Sequence, residues 1–498
     1  MLVICFINLL QPISGFAGVF PEATSSTSAN QIAADEVLSL PACLDLALKQ
    51  SHRRPASQYA VLVAEAQHRQ ALAAYWPQIG AKAGYQRMDE SPDFLFPAST
   101  YSIAAQPLPL PPGYGLAIAD PGNNIVGTLS SIPAQSVTVP AQDVKLMDPE
   151  SFSASLNLTW LLFDGGMRHG YRQQAEGYVA LMKAEAHRTD LEIADSVRRM
   201  YYGAVLARQL HQLGQNTLAR MEATLHLTET MYKEGSGKVT KADFLENKVM
   251  VETLRSMVAL LEKNEALARA ALANTMGLAW AESITPQDQT IPFTPVAGNL
   301  SELVTTAYQF NPDWEKIAAG LQAAEGAVET AQSGHYPKVA LTGELHKWWN
   351  DYNAGTATDR NKEGWTVGVG MEIPLFDGFL TRNKIAEARA QLAKIKEEKI
   401  LLQEGIGLQV KSAFLGLTAT QKAYQATLDA MTAATENRDL NTRAYENELV
   451  ETEKVVRAQL TEALMSAQHY KVCYDQAALQ SQLNLIVGTE VLKQFQVP

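Results

Sequence analysis

Leu162-Phe163-Asp164-Gly165-Gly166 returns 213 positions later as Leu375-Phe376-Asp377-Gly378-Phe379. Upstream of each copy the chain alternates. Trp365, Val367, Val369, Met371, Ile373 and Leu375 are interleaved with Thr366, Gly368, Gly370, Glu372 and Pro374. Phe152, Ala154, Leu156, Leu158, Trp160 and Leu162 alternate with mostly polar neighbours in the same way. A period of two predicts strands with one apolar face. Downstream, the 69 residues from Gly166 to Glu234 hold no proline, nor do those from Arg382 to Glu446. A helix of that length would run roughly 100 Å at 1.5 Å per residue. Asp164 and Asp377 stand where a helix N-cap is wanted, and Gly165 and Gly378 ease the turn out of the strand.

A second echo precedes the first. Tyr75-Trp76-Pro77 becomes His335-Tyr336-Pro337, 260 positions later. An Ala-rich helical stretch, Leu44–Ala74 or Val304–Gln332, ends at each proline, as helices tend to. Alternating sequence follows at 79–87 and 339–348. A third echo pairs Met276-Gly277-Leu278 with Val487-Gly488-Thr489. The chain therefore reads as one plan used twice: short helix, strand, loop, strand, long helix, returning helix. Repeat 1 spans 38–278, with strands 79–87 and 152–162 and a helical hairpin over 166–276. Repeat 2 spans 300–489, with strands 339–348 and 365–375 and a hairpin over 380–487. Both returning helices carry a 3-4 apolar rhythm of the coiled-coil kind. It is broken at Asn247 and Glu265 in repeat 1, and at Glu462, His469 and Gln476 in repeat 2. The insert 89–150 of repeat 1 holds ten of the chain's 22 prolines. That composition predicts an extended or polyproline loop.

In the 498 residues no run of about 18 apolar residues offers a membrane helix. If the chain crosses a bilayer, it does so in a closed barrel, since only helices and barrels satisfy their backbone groups in lipid. The alternating strands are long enough for that, and Tyr85, Trp348, Trp349 and Trp365 suit an interfacial belt. A half-buried sheet of a water-soluble domain would alternate too. Residues 1–18 resemble a secretory signal without its basic start. The net charge of -12 speaks against nucleic acid as a partner. Nine scattered histidines and three isolated cysteines match no metal spacing, and no catalytic constellation or cofactor motif is present, so no enzyme, metal or cofactor is expected. Cys43 and Cys473 read as two buried small hydrophobes.

From about Leu38 to Gly488 the chain resembles the TolC-like outer membrane efflux protein family. The junctions at Pro77 and Pro337, the duplicated Phe-Asp-Gly motifs at Phe163 and Phe376, and the helix-turn-helix stretch Tyr232–Asp243 carry the resemblance. It implies a mainly α protein with membrane β-structure. Long antiparallel coiled-coil helices would form a periplasmic α-barrel, and each protomer of a homotrimer would give four strands to a 12-stranded β-barrel. It further implies an outer membrane channel, the exit duct of a tripartite efflux or type I secretion system. Such a duct reaches from outer membrane lipid through the periplasm to a periplasmic adaptor (membrane fusion) protein and an inner-membrane pump or exporter. A structural coiled-coil envelope protein without a pore is the other reading, although it leaves the duplicated strands unexplained.

Function would then concentrate at the two helical tips. Gly235-Ser236-Gly237-Lys238 makes the first turn, and Gly235 and Gly237 are glycines of a tight turn rather than a phosphate loop, whose Lys-Ser/Thr ending is missing. The second turn, Asn447-Glu448-Leu449-Val450, has no glycine and is expected to be more strained or longer. The resemblance puts Asp243 at an acidic tip position and Tyr445 at a tip tyrosine. Its basic partner is replaced by Val450, and two inward acidic positions appear as Lys454 and Arg457. With Glu448 and Glu451 close by, these residues imply a periplasmic gate of mixed sign.

Overall fold

The computed structural model describes residues 36–108, 116–119, 121, 125–129, 131–235, 237–279, 282–295, 298–349 and 362–488. The expected signal at 1–18, the prolines at 109, 111 and 112, and Ser236 lie outside them.

In chain order the elements are β1 (Glu36–Leu38), α1 (Leu40–Gln50), α2 (Arg53–Ala73) and β2 (Gln78–Arg87). The insert contributes β3 (Asp93–Phe96), β4 (Ser99–Ile103), β5 (Gln106–Pro107), β6 (Leu116–Ala119), β7 (Ile125–Leu129), β8 (Ser131–Ile132), β9 (Gln135–Val139) and β10 (Gln142–Lys145). Then follow β11 (Glu150–Phe163), α3 (Met167–Lys233), α4 (Lys241–Thr275), β12 (Ile284–Pro286), α5 (Leu300–Phe310) and α6 (Pro312–Gln332). The chain ends with β13 (Lys338–Trp349), β14 (Glu363–Glu372), α7 (Leu380–Glu446) and α8 (Thr452–Val487). The order of the duplicated plan is as expected. Two compact units can be distinguished. One takes in the chain up to Ala60, Met182–Lys316 and the chain from Lys399, and the other takes in Val61–Leu181 and Ile317–Glu398.

The strand unit holds an antiparallel sheet in the order β14-β13-β11-β2. Alternation sorts its side chains by face. Ile79, Leu158, Gly343 and Val367 share one row, and Gln78, Thr159, Thr342 and Gly368 share the next. The apolar set thus lies on one face and the polar set on the other. Trp348 corrects the expected aromatic belt: it pairs with Ser153 and falls on the polar face, whereas its neighbour Trp349 pairs with Phe152 on the apolar one. Adjacent residues of a strand cannot share a face. The last strand is also shorter than expected, ending at Glu372 rather than Leu375. Pro374 lacks the N–H that would continue the ladder.

The insert is extended, one of the two expected forms, but its extended segments are paired as strands rather than left as a loop. β3 pairs with β10, β4 with β9, β5 with β8 and β6 with β7, forming a two-stranded antiparallel ribbon that continues from β2 and β11. Prolines interrupt the ribbon without ending it. Pro97 and Pro140 stand in the break after β3, and Pro133 stands in the next one.

Each expected single helix before a proline is two. α1 stops at Ser51, whose ψ is 121°, and α5 stops at Asn311, whose ψ is 123°. Pro312 pushes Asn311 out of the helical region. Asn311 then caps α6, its Oδ1 accepting from Asp313 N at 2.8 Å, while its Nδ2 donates to Ile486 O at 2.7 Å. The third echo explains itself here. Gly277 and Gly488, both at positive φ, close the returning helices against these breaks. A Cβ on Gly277 would lie 2.6 Å from Gln50 O, and one on Gly488 would lie 2.0 Å from Phe310 O.

The other unit is cored twice on the same scheme. Cys43 and Ala47 of α1 pack with Val197, Tyr201 and Val205 of α3 and Leu272 of α4. Leu303 and Ala307 of α5 pack with Ile406, Val410 and Leu417 of α7 and Leu483 of α8. Cys43 and Cys473 are free thiols buried in the first cluster, and burial pushes the Cys43 thiol up to about 12.

Candidate functional site

At both junctions that turn strand into helix an aspartate accepts hydrogen bonds from the first turn of the helix. Asp164 is buried, and its Oδ2 accepts from Arg168 N at 2.9 Å and from Arg168 Nε at 2.8 Å. Arg168 also donates to Leu161 O and Leu162 O and lies 4.8 Å above the Tyr75 ring. Asp377 caps α7 instead through Thr381, whose hydroxyl and backbone N–H both donate to it and hold its carboxyl below the ordinary range. Gly165 and Gly378 both have φ of 67°. Pro77 and Pro337 sit one residue before β2 and β13 and so set where the strands begin.

At the first tip, Gly235 and Gly237 take φ of 71° and 67°. Asp243 is committed to a capping box. Its Oδ2 accepts from Thr240 N at 2.8 Å, and the Thr240 hydroxyl accepts from Asp243 N at 3.2 Å. Thr240 was missed in the sequence, although Thr-x-x-Asp before an apolar rhythm is the signature of such a cap. The second turn is strained, as expected, but shorter rather than longer. Residues 447–451 separate its helices where 234–240 separate the first pair, and Glu448 takes φ of 58° without being glycine. The Glu448 carboxylate pairs with Lys238 Nζ at 2.9 Å, joining the two tips.

Tyr445 is buried beneath them. Its hydroxyl lies 2.7 Å from Thr228 Oγ1 and 3.0 Å from Thr452 Oγ1, and Asn247 Nδ2 donates to Thr228 at 3.2 Å. Val450, standing where a basic side chain was expected, packs with Tyr445, Met231 and Val455 instead. The tip is therefore held by a neutral hydroxyl network on an apolar patch, with the Lys238–Glu448 ion pair at its surface. Lys454, Glu451 and Arg457 belong to a different surface. All three are exposed, Arg457 pairs with Glu453, and Arg457 lines a cleft of about 370 Å³ between α4 and α8 with Asp243, Glu246, Met250 and Leu460.

The five breaks in the coiled-coil rhythm each meet a partner. Asn247 reaches Thr228, Glu265 reaches His211 at 2.6 Å, and Gln476 donates to Thr294 O. Glu462 accepts from Arg220 of α3 at 2.8 Å and lies 3.2 Å from Arg438 of α7. His469 Nδ1 lies 3.1 Å from Thr427 Oγ1. Burial lowers the proton affinity of His469 in the folded chain. Because the folded value lies below the ordinary 6.5 or so, the unfolded chain binds more protons as pH falls through that region. Stability is therefore full above it and declines below it, until the folded value is passed. Replacing His469 with Gln should flatten that decline. Melting temperatures of the two proteins between pH 8 and 5 check this, and parallel curves would refute it.

Four antiparallel strands with one apolar face and two pairs of long helices define the fold class. A family model described as outer membrane efflux protein matches residues 129–278 and 303–489, and the chain belongs to that family. Membership places it in the outer membrane, extending into the periplasm. It is 27% identical over 282 residues to Protein CyaE of Bordetella pertussis, covering 55% of this chain and 57% of that one. It is 27% identical over 254 residues to the pyoverdine export outer membrane protein OpmQ of Pseudomonas aeruginosa, covering 50% of each. The chain thus spans little more than half the length of these relatives. The outer membrane protein VceC of Vibrio cholerae shares the fold, with a TM-score of 0.68, 16% identity, and coverage of 90% of this chain and 96% of that one.

Proposed function

We propose that the chain is one protomer of a passive exit duct, a homotrimer closed through the outer membrane and gated at its periplasmic tip. One observation carries the reading: the sheet has one apolar face and ends in two edge strands, β2 and β14, whose outer edges meet no strand among the described residues. In hydrocarbon an open edge leaves a row of backbone groups without partners. Closure with further copies removes the edges, and three copies of four strands give a 12-stranded ring. A periplasmic adaptor and an inner-membrane pump or exporter would deliver the cargo, a small molecule or a secreted protein. Lys454 and Arg457, with Glu448, Glu451 and Glu453 around them, give the gate its mixed sign, and rings of charge bias which ions pass.

The test is reconstitution of the detergent-extracted protein in planar bilayers. Stepwise conductance is expected, with a reversal potential that moves toward cation selectivity in the Lys454→Ala/Arg457→Ala protein. Absence of channels would refute the duct. Strong cation selectivity that the double variant leaves unchanged would refute the gate.

A further inference from the structure

The two repeats build the turn from strand to helix differently, and the difference leaves a basic cleft in repeat 2. In repeat 1 the space beside the turn is filled and its charges are matched. Arg168 lies 4.8 Å above the Tyr75 ring and donates to Leu161 O and Leu162 O. Farther along α3, Glu176 stands 3.3 Å from Arg172 and 3.8 Å from His68. Repeat 2 replaces these residues. At the offset of 213, Thr381 stands for Arg168, Arg382 for His169 and Arg389 for Glu176, and at the offset of 260, His335 stands for Tyr75. Thr381 is short and turns back to Asp377, so no guanidinium fills the space.

A cleft of about 550 Å³ is left there, between Gln332, His335 and Tyr336 where α6 ends and the first turns of α7. Arg382 and Arg389 line the α7 side with Ile385 between them, at the spacing of one helix face. No acid lines the cleft, and among the described residues neither arginine forms an ion pair. Glu387 stands two residues before Arg389 and so projects from another face of the helix. Between β14 and the first of these arginines the chain is apolar and bare. Leu375 and Phe376 are 94% and 78% exposed, against 45% and 46% for Leu162 and Phe163. Phe379 and Leu380 are exposed as well, where repeat 1 has Gly166 and the half-buried Met167. An apolar collar followed at once by unpaired guanidinium groups suits the boundary between hydrocarbon and head groups.

We infer that this cleft binds the head group of an anionic phospholipid in the periplasmic leaflet, with Arg382 and Arg389 on its phosphodiester and the acyl chains along Leu375, Phe376 and Phe379. Guanidinium forks match the oxygens of a phosphate. The Gln332 amide and the His335 imidazole offer further donors to head-group oxygens. A basic pocket beside apolar surface is how a protein selects an anionic lipid. Inorganic phosphate would use the same arginines but not the collar, and the collar commits the site to lipid. The inference rests on the chain's place in the outer membrane and not on closure of the duct. Repeat 1, with Glu176 in place of the second arginine, has no such site.

Lipid retention tests it. Protein in dodecyl maltoside is mixed with equal amounts of phosphatidylglycerol and phosphatidylcholine and passed through gel filtration in the same detergent. Phosphatidylglycerol should be retained over phosphatidylcholine by about tenfold or more, the factor that one charge-assisted contact supplies. Excess inorganic phosphate should not displace it. Arg382→Gln/Arg389→Gln should bring the two lipids to parity, whereas Lys394→Gln/Lys396→Gln, which removes as much charge farther along α7, should keep the preference. Arg389→Glu, which installs the carboxylate of repeat 1, should abolish the preference too and gives the answer should the double arginine variant not fold. Equal retention by the natural protein, or a preference that both double variants lose alike, overturns the site. Displacement by inorganic phosphate makes it a site for a free anion and overturns the lipid. A monomeric protein that keeps the preference overturns the duct and leaves the site standing.

Discussion

Gly165→Ala should strip the outer membrane of folded protein, whereas Gly166→Ala, one residue on, should be tolerated. Both positions have positive φ, 67° and 95°. A non-glycine residue in that region costs about 1–2 kcal/mol. Repeat 2 carries a non-glycine residue at the second position, Phe379, with φ of 67° in place of the 95° of Gly166, so an alanine there is accommodated if φ relaxes to that value. The surroundings decide the rest. An alanine Cβ at Gly166 would meet the Glu329 carboxylate at 3.1 Å, the far end of a side chain that can swing away. At Gly165 it would overlap the Tyr336 Cβ at 2.4 Å and crowd Ser333 O at 3.1 Å, both fixed by the 3₁₀ turn Ser333–His335 that leads into β13. Overpacking of a fixed site adds about 1–3 kcal/mol. Gly165→Ala should therefore lose about 3 kcal/mol or more, a large share of ordinary stability, and Gly166→Ala about 1–2 kcal/mol. Urea midpoints and the amount of folded protein recovered from membranes give the comparison. Equal losses would mean that backbone conformation alone governs the junction.

Glu462→Ala should be the most damaging single truncation in the long helices. The Glu462 side chain is 9% exposed and stands between Arg220, 33% exposed, and Arg438, 15% exposed. Removing it takes the carboxylate from Arg220, whose charge burial already disfavours, and one of two from Arg438, which keeps Asp439 at 2.7 Å. Breaking a buried pair by removing one partner costs about 3–5 kcal/mol, and partial exposure of Arg220 argues for the lower end. The penalty comes from the stranded charges, so the apolar replacement Arg220→Met/Glu462→Leu/Arg438→Met should recover most of it. Chemical unfolding of the three proteins checks this. A Glu462→Ala protein within about 0.5 kcal/mol of the natural one, the range of an ordinary surface change, would show that the cluster is solvated and idle.

The same residue shows how far the sequence could be followed. Glu462 was visible only as a fault in an apolar rhythm, as were Asn247, Glu265, His469 and Gln476. Periodicity reports which face of a helix turns inward, but not which polar group waits on the helix opposite. The tip shows the same limit. Glycine and its absence pointed to two turns of different strain, and Tyr445 was singled out only through the family resemblance. Its hydroxyl partners Thr228 and Thr452 lie 217 residues before it and 7 after it in the chain, and no local signal links the first of them. In the insert 89–150 the extended backbone was legible and the pairing was not. Its prolines were read as structure when they are interruptions in a ladder whose two sides lie up to 52 residues apart.

The amino-acid sequence alone determined the duplicated plan, the two-faced strands, the long uninterrupted helices and the glycine and aspartate junctions between them. Each of these is set by residues within a few positions of one another, through backbone sterics, capping and side-chain alternation. Tertiary structure decided what those elements meet: the order β14-β13-β11-β2 with its two bare edges, the tyrosine over Gly165, and the arginines on either side of Glu462. Such contacts join residues from 16 to 242 positions apart in the chain, and they form only where packing brings separate segments within hydrogen-bonding or van der Waals reach.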